Sequence, residues 1–214
     1  MERLICVLIG YACGLFQTGY IYGKLHHIDI RQHGSGNAGT TNALRTLGWK
    51  AGAITFLGDF LKCIVAVLIA YVLFGKTHKD MFELLAMYAG MGAVLGHNFP
   101  FYLNFKGGKG IATTAGLLLA VNPKVALIAM ATFIVVVAVT RYVSLGSIIL
   151  VIIFAVGMIV KGEILGTSLI GTELYELYGL SIFLAVLAIY RHRANIKRLL
   201  NGTENKLSFG KRKE

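Results

Sequence analysis

Residues 96–110 of the chain, GHNFPFYLNFKGGKG, combine groups that bind anions. Glycines allow successive backbone N–H groups to turn towards one point, and lysines add full positive charge. An apolar run begins at Ile111, so the segment leads into a helix N-terminus, which also favours anions. The alternative is a flexible basic loop, and the pattern does not match a Walker A loop. The candidate phosphate-binding residues are His97, Lys106, Gly107, Gly108, Lys109 and Gly110.

A second polar segment, residues 29–45, reads DIRQHGSGNAGTTNALR and formally contains a GxGxxG pattern. A dinucleotide site would need a preceding strand, which these polar residues do not form. The segment instead offers side-chain hydroxyl and amide groups beside backbone N–H groups, and the guanidinium of Arg45 can bind a phosphate through two hydrogen bonds. The alternative is a loop in which Thr40, Thr41 or Asn42 caps the next helix. The candidate site residues are Ser35, Gly36, Asn37, Asn42 and Arg45.

A third group of polar residues lies near the C-terminus, in the segment 191–206, RHRANIKRLLNGTENK. An amide and a lone acid contribute nothing to membrane orientation, so they favour a site over an ordinary basic tail. The candidates are His192, Asn195, Arg198 and Glu204. Ser144, in the short turn RYVSLGS, either contacts a ligand or caps a helix.

The sequence lacks the residue patterns of several other kinds of catalytic or metal site. The chain has no HxxxxD pair, no GxSxG and no metal-ligand spacing, so we expect neither a metal ion nor a cofactor. The three cysteines lie in apolar segments and read as packing residues. The sequence therefore predicts phosphate binding at a membrane surface.

The composition identifies the elements that must position these residues. The 214 residues are 56% hydrophobic and only 14% charged, which is typical of an integral membrane protein. The net charge of +11 then indicates basic cytoplasmic loops and contact with anionic lipid, and we expect no nucleic acid partner.

Seven apolar runs predict a single all-α domain over residues 1–214, with seven transmembrane helices and glycine-rich cytoplasmic loops. The runs are 4–23, 52–75, 81–97, 111–121, 124–140, 143–160 and 174–190. With the N-terminus outside, 15 of the 21 lysines and arginines lie inside and 5 outside, a strong positive-inside bias. The basic segment 191–214 is then cytoplasmic. The run 111–121 is short for a crossing, about 16 Å, unless it is buried within protein.

Asp59 and Lys62 lie three residues apart in the second run, on one helix face. Ionisable residues at membrane depth are costly and are usually paired or functional. A structural pair is the favoured interpretation, and a catalytic role is the alternative.

Three segments in combination, GSGNAGTTN, GHNFPFYLNFKGGKGIAT and RHRANIKRLLNGTENK, resemble the motifs of the bacterial acyl-phosphate:glycerol-3-phosphate acyltransferase family, PlsY. The resemblance covers about 200 residues in order and spacing. It implies a multi-pass enzyme of the cell membrane that moves a fatty acyl group from acyl phosphate to the 1-hydroxyl of glycerol 3-phosphate. The products are lysophosphatidic acid and inorganic phosphate, in phospholipid biosynthesis. It also implies a functional link to an enzyme that produces acyl phosphate.

The chain departs from the family in the first run, where Gly14-Leu15-Phe16-Gln17 replaces a stretch that often contains serine and proline. The role of that serine cannot be carried over, and Ser35 remains. We assign catalytic roles to Ser35, Arg45, Lys109, His192, Asn195 and Glu204, and substrate binding to the other candidates.

Acyl transfer requires that the enzyme align two anionic substrates and neutralise the negative charge that develops during the reaction. The resemblance implies that a substrate phosphate helps to take the hydroxyl proton, and His192, Glu204 and His97 are candidates for proton transfer. We expect residues 106–110 to bind one phosphate and residues 35–45, together with Asn195, to bind the other. A transporter of organic phosphates is the alternative function, although the helices have few polar groups and no internal repeat.

Overall fold

The computed structural model describes residues 1–207, and these form an all-helical bundle. The α-helices within that range are α1 Glu2–Gly14, α2 Thr18–Leu25, α3 Thr40–Leu47, α4 Trp49–Phe74, α5 Phe82–Asn98, α6 Ile111–Val121, α7 Pro123–Thr140, α8 Val143–Val160, α9 Thr172–Arg191 and α10 Arg193–Leu200. The predicted basic C-terminal segment extends beyond the described range at residues 208–214.

Five segments of the described chain are long and apolar enough to span a bilayer. They are Glu2–Leu25, Trp49–Phe74, Pro123–Thr140, Val143–Leu165 and Thr172–Arg191. The helices α5 and α6 are shorter, with 17 and 11 residues. The membrane character expected from composition is therefore confirmed, with five spans of full length.

The first apolar run is not the single helix that the sequence predicts, because it breaks after Gly14 and resumes at Thr18. The side chain of Gln17 fills the break and is buried. Its Nε2 donates hydrogen bonds to the carbonyl oxygens of Gly14, Gly96 and His97 at 3.1–3.2 Å. These are carbonyls at the ends of α1 and α5, which have no partner inside their own helices.

Small residues bring α1 and α5 into backbone contact. A Cβ atom at Gly10 would lie 1.9 Å from the carbonyl oxygen of Ala89, and one at Gly96 would lie 2.3 Å from that of Tyr11. Glycines spaced four apart on both helices make this close approach possible, as is common between membrane helices. The contact holds His97, near the end of α5, beside the break in the first run.

Helix α6 lies at the centre of the bundle and contacts α4, α5, α7 and α8. Leu117 and Leu118 are fully buried in the main hydrophobic core, together with Phe154 and Met158 of α8. Burial inside protein suits a helix too short to cross the lipid alone. Its N-terminal end faces the polar segments identified in the sequence.

Candidate active site

A cavity of about 370 Å³ lies at the N-terminal end of α6. It is lined by α3 and the loop before it, the start of α6, the first turn of α8 and the C-terminal segment. Most of the predicted site residues line it: Ser35, Asn37, Asn42, Arg45, His97, Lys109, Gly110, Ser144, His192, Asn195 and Glu204. The structure places five predicted residues outside the lining: Gly36, Lys106, Gly107, Gly108 and Arg198.

The first loop is shaped by Asn42, whose side chain is buried. Its Oδ1 accepts a hydrogen bond from the N–H of Ser35 at 2.8 Å, and its Nδ2 donates to the carbonyl oxygens of Ile30 and His33. The amide is thus committed to the loop backbone, whereas the sequence predicted that it binds substrate. Asn37 likewise accepts from the N–H of Gly39.

Two helix N-termini meet at this cavity, those of α3 and α6. Thr40 and Thr41 begin α3, and Ile111 and Ala112 begin α6, and all four line the cavity. Within residues 1–207, no acceptor lies within hydrogen-bonding range of these four N–H groups. Gly39 occupies the N-cap of α3 without a side-chain cap, so the alternative in which Thr40, Thr41 or Asn42 caps this helix is wrong. Free N–H groups at two helix starts are suited to two anions.

The central loop differs from the expected arrangement of inward-facing N–H groups. The N–H groups of Gly107 and Gly108 donate to the carbonyl oxygens of Asn98 and His97, at 3.2 and 3.1 Å. They therefore attach the loop to the end of α5 and are not available to a ligand. Lys106 is exposed to solvent. The part of the loop that remains open to an anion is Lys109 with the start of α6.

Gly108 packs against the ring of His97, and a Cβ atom there would lie 1.9 Å from Nε2. Gly108→Ala is therefore expected to displace the ring or the loop, at about 1–3 kcal/mol for overpacking. We expect a raised KM for the anionic substrate together with a lower melting temperature, measured on the purified variant. Gly179→Ala is the matched control, because open space surrounds Gly179 in α9. Equal values for the two variants would contradict this packing role.

A chain of hydrogen bonds links the central loop to the C-terminal segment. Lys109 Nζ donates to Asn195 Oδ1, and Asn195 Nδ2 donates to Glu204 Oε1 at 2.8 Å. Glu204 also accepts from Ser144 at 3.0 Å and from Arg198 at 2.7 Å. Since the Asn195 amide presents its N–H₂ group to the carboxylate, its oxygen is directed towards Lys109.

Glu204 is ionised in this arrangement. Burial raises the pKa of its carboxyl group, but the hydrogen bonds donated by Asn195, Arg198 and Ser144 outweigh burial and hold the pKa below the ordinary value. A carboxylate that already accepts from three groups is a poor proton acceptor. Its role is to orient Asn195.

Burial also lowers the pKa of Lys109, to about 8. Glu204 opposes this shift, and the charges of Arg198, Arg191 and Arg45 add to it. His192 also faces the lysine, and burial followed by the Lys109 charge lowers the pKa of this histidine to about 4. Lys109 is thus protonated below pH 8 in the free protein and loses its charge above that value.

The consequence is a pH-dependent affinity for anions. Since kcat/KM reports the free enzyme, it is expected to fall as the pH rises through about 8. Lys109→Arg, whose guanidinium stays charged, should lose this alkaline limb. The check is the pH profile of kcat/KM between pH 7 and 9.5 for both proteins. Identical profiles would remove Lys109 as the titrating group.

His192 is held in one tautomer. Its Nδ1 lies 2.8 Å from the carbonyl oxygen of Ala188, which can only accept, so Nδ1 carries the proton. The neutral ring then leaves Nε2 with a free lone pair in a residue that lines the cavity. This geometry allows Nε2 to accept a hydrogen bond from a donor in the cavity.

Most of the remaining cavity wall is apolar, a feature that sequence reasoning did not identify, although Asp59 and Ser147 also line it. The apolar part is formed by the residues Phe56, Ile111, Ala115, Met130, Phe133, Ile134, Val137 and Leu150. Ile134 and Phe56 are 64% and 40% exposed on the outer surface of their helices, so the apolar part reaches the face that lipid covers. In the sequence these positions are indistinguishable from other lipid-facing residues.

Known proteins resemble this chain over almost its whole length. The glycerol-3-phosphate acyltransferase family model matches residues 4–202. Glycerol-3-phosphate acyltransferase of Clostridioides difficile (strain 630) is 47% identical over 213 residues, covering 99% of this chain and 97% of the relative. That of Thermoanaerobacter sp. (strain X514) is 45% identical, covering 97% and 96%.

A similar structure has been solved for PlsY (YgiH), an integral membrane glycerol 3-phosphate acyltransferase, in its glycerol 3-phosphate form. The TM-score is 0.84 at 36% identity, covering 97% of this chain and 96% of that one. The lysophosphatidic acid form of the same enzyme gives 0.81 at 36% identity, covering 98% and 97%. The chain is therefore an integral membrane protein that belongs to the glycerol-3-phosphate acyltransferase family.

Proposed function

We propose that this acyltransferase uses acyl phosphate as its donor and acylates the 1-hydroxyl of glycerol 3-phosphate. The products are lysophosphatidic acid and inorganic phosphate. One observation carries the proposal: two helix N-termini and two cationic side chains, Arg45 and Lys109, share a cavity that continues into an apolar wall. That combination fits two phosphate groups and one fatty acyl chain.

The two phosphate sites are assigned by their donors. Lys109 and the start of α6 hold one phosphate, and Ser35, Arg45 and the start of α3 hold the other. The hydrogen bond from Lys109 to Asn195 supports a place for Asn195 at the first site, whereas the sequence favoured the second. Arg45 has one NH2 hydrogen bond to the carbonyl oxygen of Asn205, and its remaining donors can serve a ligand.

The fatty acyl chain lies along the apolar wall formed by α4, α7 and α8. Exposure of Ile134 and Phe56 on the lipid side supports entry of the donor directly from the bilayer. Burial of each methylene group contributes about 0.8 kcal/mol, so the affinity for an acyl chain along this wall rises with the length of the chain.

The reaction needs one bond to form and one to break. The hydroxyl oxygen of glycerol 3-phosphate attacks the acyl carbon, and the bond from that carbon to the phosphate oxygen breaks. His192 Nε2 accepts a hydrogen bond from the hydroxyl and aligns it, and the proton leaves on the released phosphate. Lys109, Arg45 and the helix N-termini neutralise the charge that develops. Of the three candidate bases in the described chain, His192 presents an unbonded ring nitrogen, whereas Glu204 already accepts three hydrogen bonds and Nδ1 of His97 is bonded to Lys62.

Purified protein in lipid nanodiscs tests the donor. We expect labelled glycerol 3-phosphate to be converted with acyl phosphate in the presence of EDTA, with one phosphate released per acyl group transferred. Acyl-coenzyme A at the same concentration should give no product. Turnover that requires the coenzyme A thioester would overturn the proposal.

We also propose the topology of a cell-membrane protein with seven crossings, the N-terminus outside and the C-terminus cytoplasmic. The positive-inside bias of 15 to 5 supports it, and α6 is buried enough to complete a short crossing. The cytoplasmic face then presents the site to glycerol 3-phosphate, to the anionic lipid surface and to an enzyme that supplies acyl phosphate.

Single cysteines test this topology. Thr77 and Thr203 are both exposed, and in a background without Cys6, Cys13 and Cys63 we expect Thr77→Cys to react with an impermeant maleimide from outside intact cells. Thr203→Cys should react only after the membrane is opened. Labelling of both from the same side would contradict seven crossings.

A further inference from the structure

Three ionisable side chains meet in the interior next to the cavity. Lys62 Nζ lies 2.9 Å from Asp59 Oδ1, 2.8 Å from His97 Nδ1 and 2.8 Å from the carbonyl oxygen of Phe16. All three ionisable residues are less than a tenth exposed. The structural pair expected from the sequence is therefore present, and it has a third member in His97.

The hydrogens on the Lys62 ammonium group determine the protonation state and the tautomer of His97. An ammonium group has three donors and no acceptor, and here it has three neighbours at hydrogen-bonding distance. A carbonyl and a carboxylate can only accept, so the third hydrogen points at His97 Nδ1, which must present a lone pair. The ring is then neutral, and its proton is on Nε2.

The Nε2–H group faces the central loop without a protein acceptor. It packs against Gly108, and the carbonyl oxygens of Gly107 and Gly108 already accept hydrogen bonds from Arg191, at 3.2 and 2.8 Å. Within residues 1–207 no acceptor is within hydrogen-bonding range of Nε2. His97 lines the cavity, so a ligand bound there can supply the acceptor that the described part of the chain does not.

We propose that Asp59 and Lys62 are positioning residues that hold His97 as an Nε2–H donor to a phosphate oxygen in the cavity. Asp59 neutralises Lys62 and fixes its direction, with support from Thr18, whose hydroxyl lies 3.3 Å from Asp59 Oδ1. The break in the first apolar run exposes the Phe16 carbonyl that completes the set. The inference deepens the proposed function and depends on a phosphate being bound there.

Two amide variants of His97 separate this role from packing. His97→Gln places an amide N–H₂ near the position of Nε2, whereas His97→Asn places its oxygen near Nδ1 and keeps the bond from Lys62. The proposal predicts affinity for inorganic phosphate within a few-fold of the parent for Gln and a loss of about ten- to a hundred-fold for Asn. If His97 serves only to accept a hydrogen bond from Lys62, the Gln variant should lose more phosphate affinity than the Asn variant. That result, or equal losses for the two variants, would overturn the proposal.

Steady-state kinetics of the His97 variants identify which substrate carries the phosphate that His97 binds. With the Asn variant, a raised KM for glycerol 3-phosphate assigns the donor to that substrate, and a raised KM for acyl phosphate assigns it to the other. A loss confined to kcat, with both KM values unchanged, would contradict binding by Nε2–H.

Nitrogen NMR of the ¹⁵N-histidine-labelled full chain reads the tautomer without any turnover. The His97 signal, identified by its absence in His97→Gln, is expected to report a neutral ring protonated at Nε2. In Lys62→Met, or in Asp59→Asn with Lys62→Met if the single variant does not fold, that preference should be lost. His78, on the far side of the molecule, is the control. A wild-type ring protonated at Nδ1 would overturn the inference, whatever the outcome of the donor assay.

Discussion

Replacing Glu204 with alanine is expected to lower kcat/KM by about thirty- to a thousand-fold, the largest loss among the single variants proposed. The carboxylate accepts hydrogen bonds from Asn195 and Ser144, both buried, and from Arg198. Each buried donor left without a partner costs about 1–3 kcal/mol, so two of them amount to about 2–6 kcal/mol. The expected loss corresponds to the lower part of that range, about 2–4 kcal/mol. The Asn195 amide is then free to rotate and present its N–H₂ group to Lys109.

Two further variants make the result specific. Glu204→Gln keeps one acceptor oxygen for Asn195 and Ser144 and turns an amide towards Arg198, so its loss should be intermediate. Asp80→Ala removes an exposed acid that does not line the cavity and should match the wild type. Steady-state rates with glycerol 3-phosphate varied, at a temperature at which each variant is folded, provide the comparison. A Glu204→Ala rate equal to that of Asp80→Ala would contradict the orienting role.

Lys109→Ala is expected to lower kcat/KM by about ten- to a few hundred-fold. A charge-assisted hydrogen bond to an anion contributes about 1.5–3 kcal/mol, and about 1.4 kcal/mol corresponds to a factor of ten. The loss should fall mainly on KM for the phosphate-bearing substrate. Lys109 Nζ contacts Asn195 and is largely buried in the cavity wall, so few other cations can replace it.

Lys124→Ala is the matched control, because Lys124 is an exposed lysine at the start of α7, away from the cavity. Its rate should equal that of the wild type. If Lys109→Ala folds, inserts and turns over at the rate of Lys124→Ala, the loop is a connector and does not bind phosphate.

The sequence predicted the membrane class and most helix boundaries because apolar runs and turn residues are local signals. Helix α8 begins and ends at the predicted residues, and α6 does too. The break at Gln17 was not predicted, since it depends on carbonyls from α5 that the local sequence does not show. A lone glutamine inside an apolar run was the available signal.

Most of the predicted site residues line the cavity, whereas their hydrogen bonds were predicted less well. Lysines, glycine-rich loops and the Asn195–Glu204 pair marked segments that meet at the cavity, because charged residues are rare in this chain. Which N–H groups remain free depends on tertiary contacts, so Gly107 and Gly108 were assigned to the ligand although they bond to α5. The link from Lys62 to His97 joins residues 35 apart in the chain and has no sequence signature.

Binding of glycerol 3-phosphate to the wild type, Lys109→Ala, Glu204→Ala and the double variant tests most directly whether Lys109, Asn195 and Glu204 form one phosphate site. Residues of one network are coupled by about 0.5–3 kcal/mol, whereas independent sites add. We expect Glu204→Ala to weaken binding at least fivefold less in the Lys109→Ala background than in the wild type. The same fold loss in both backgrounds, or no loss in either single variant, would contradict the account.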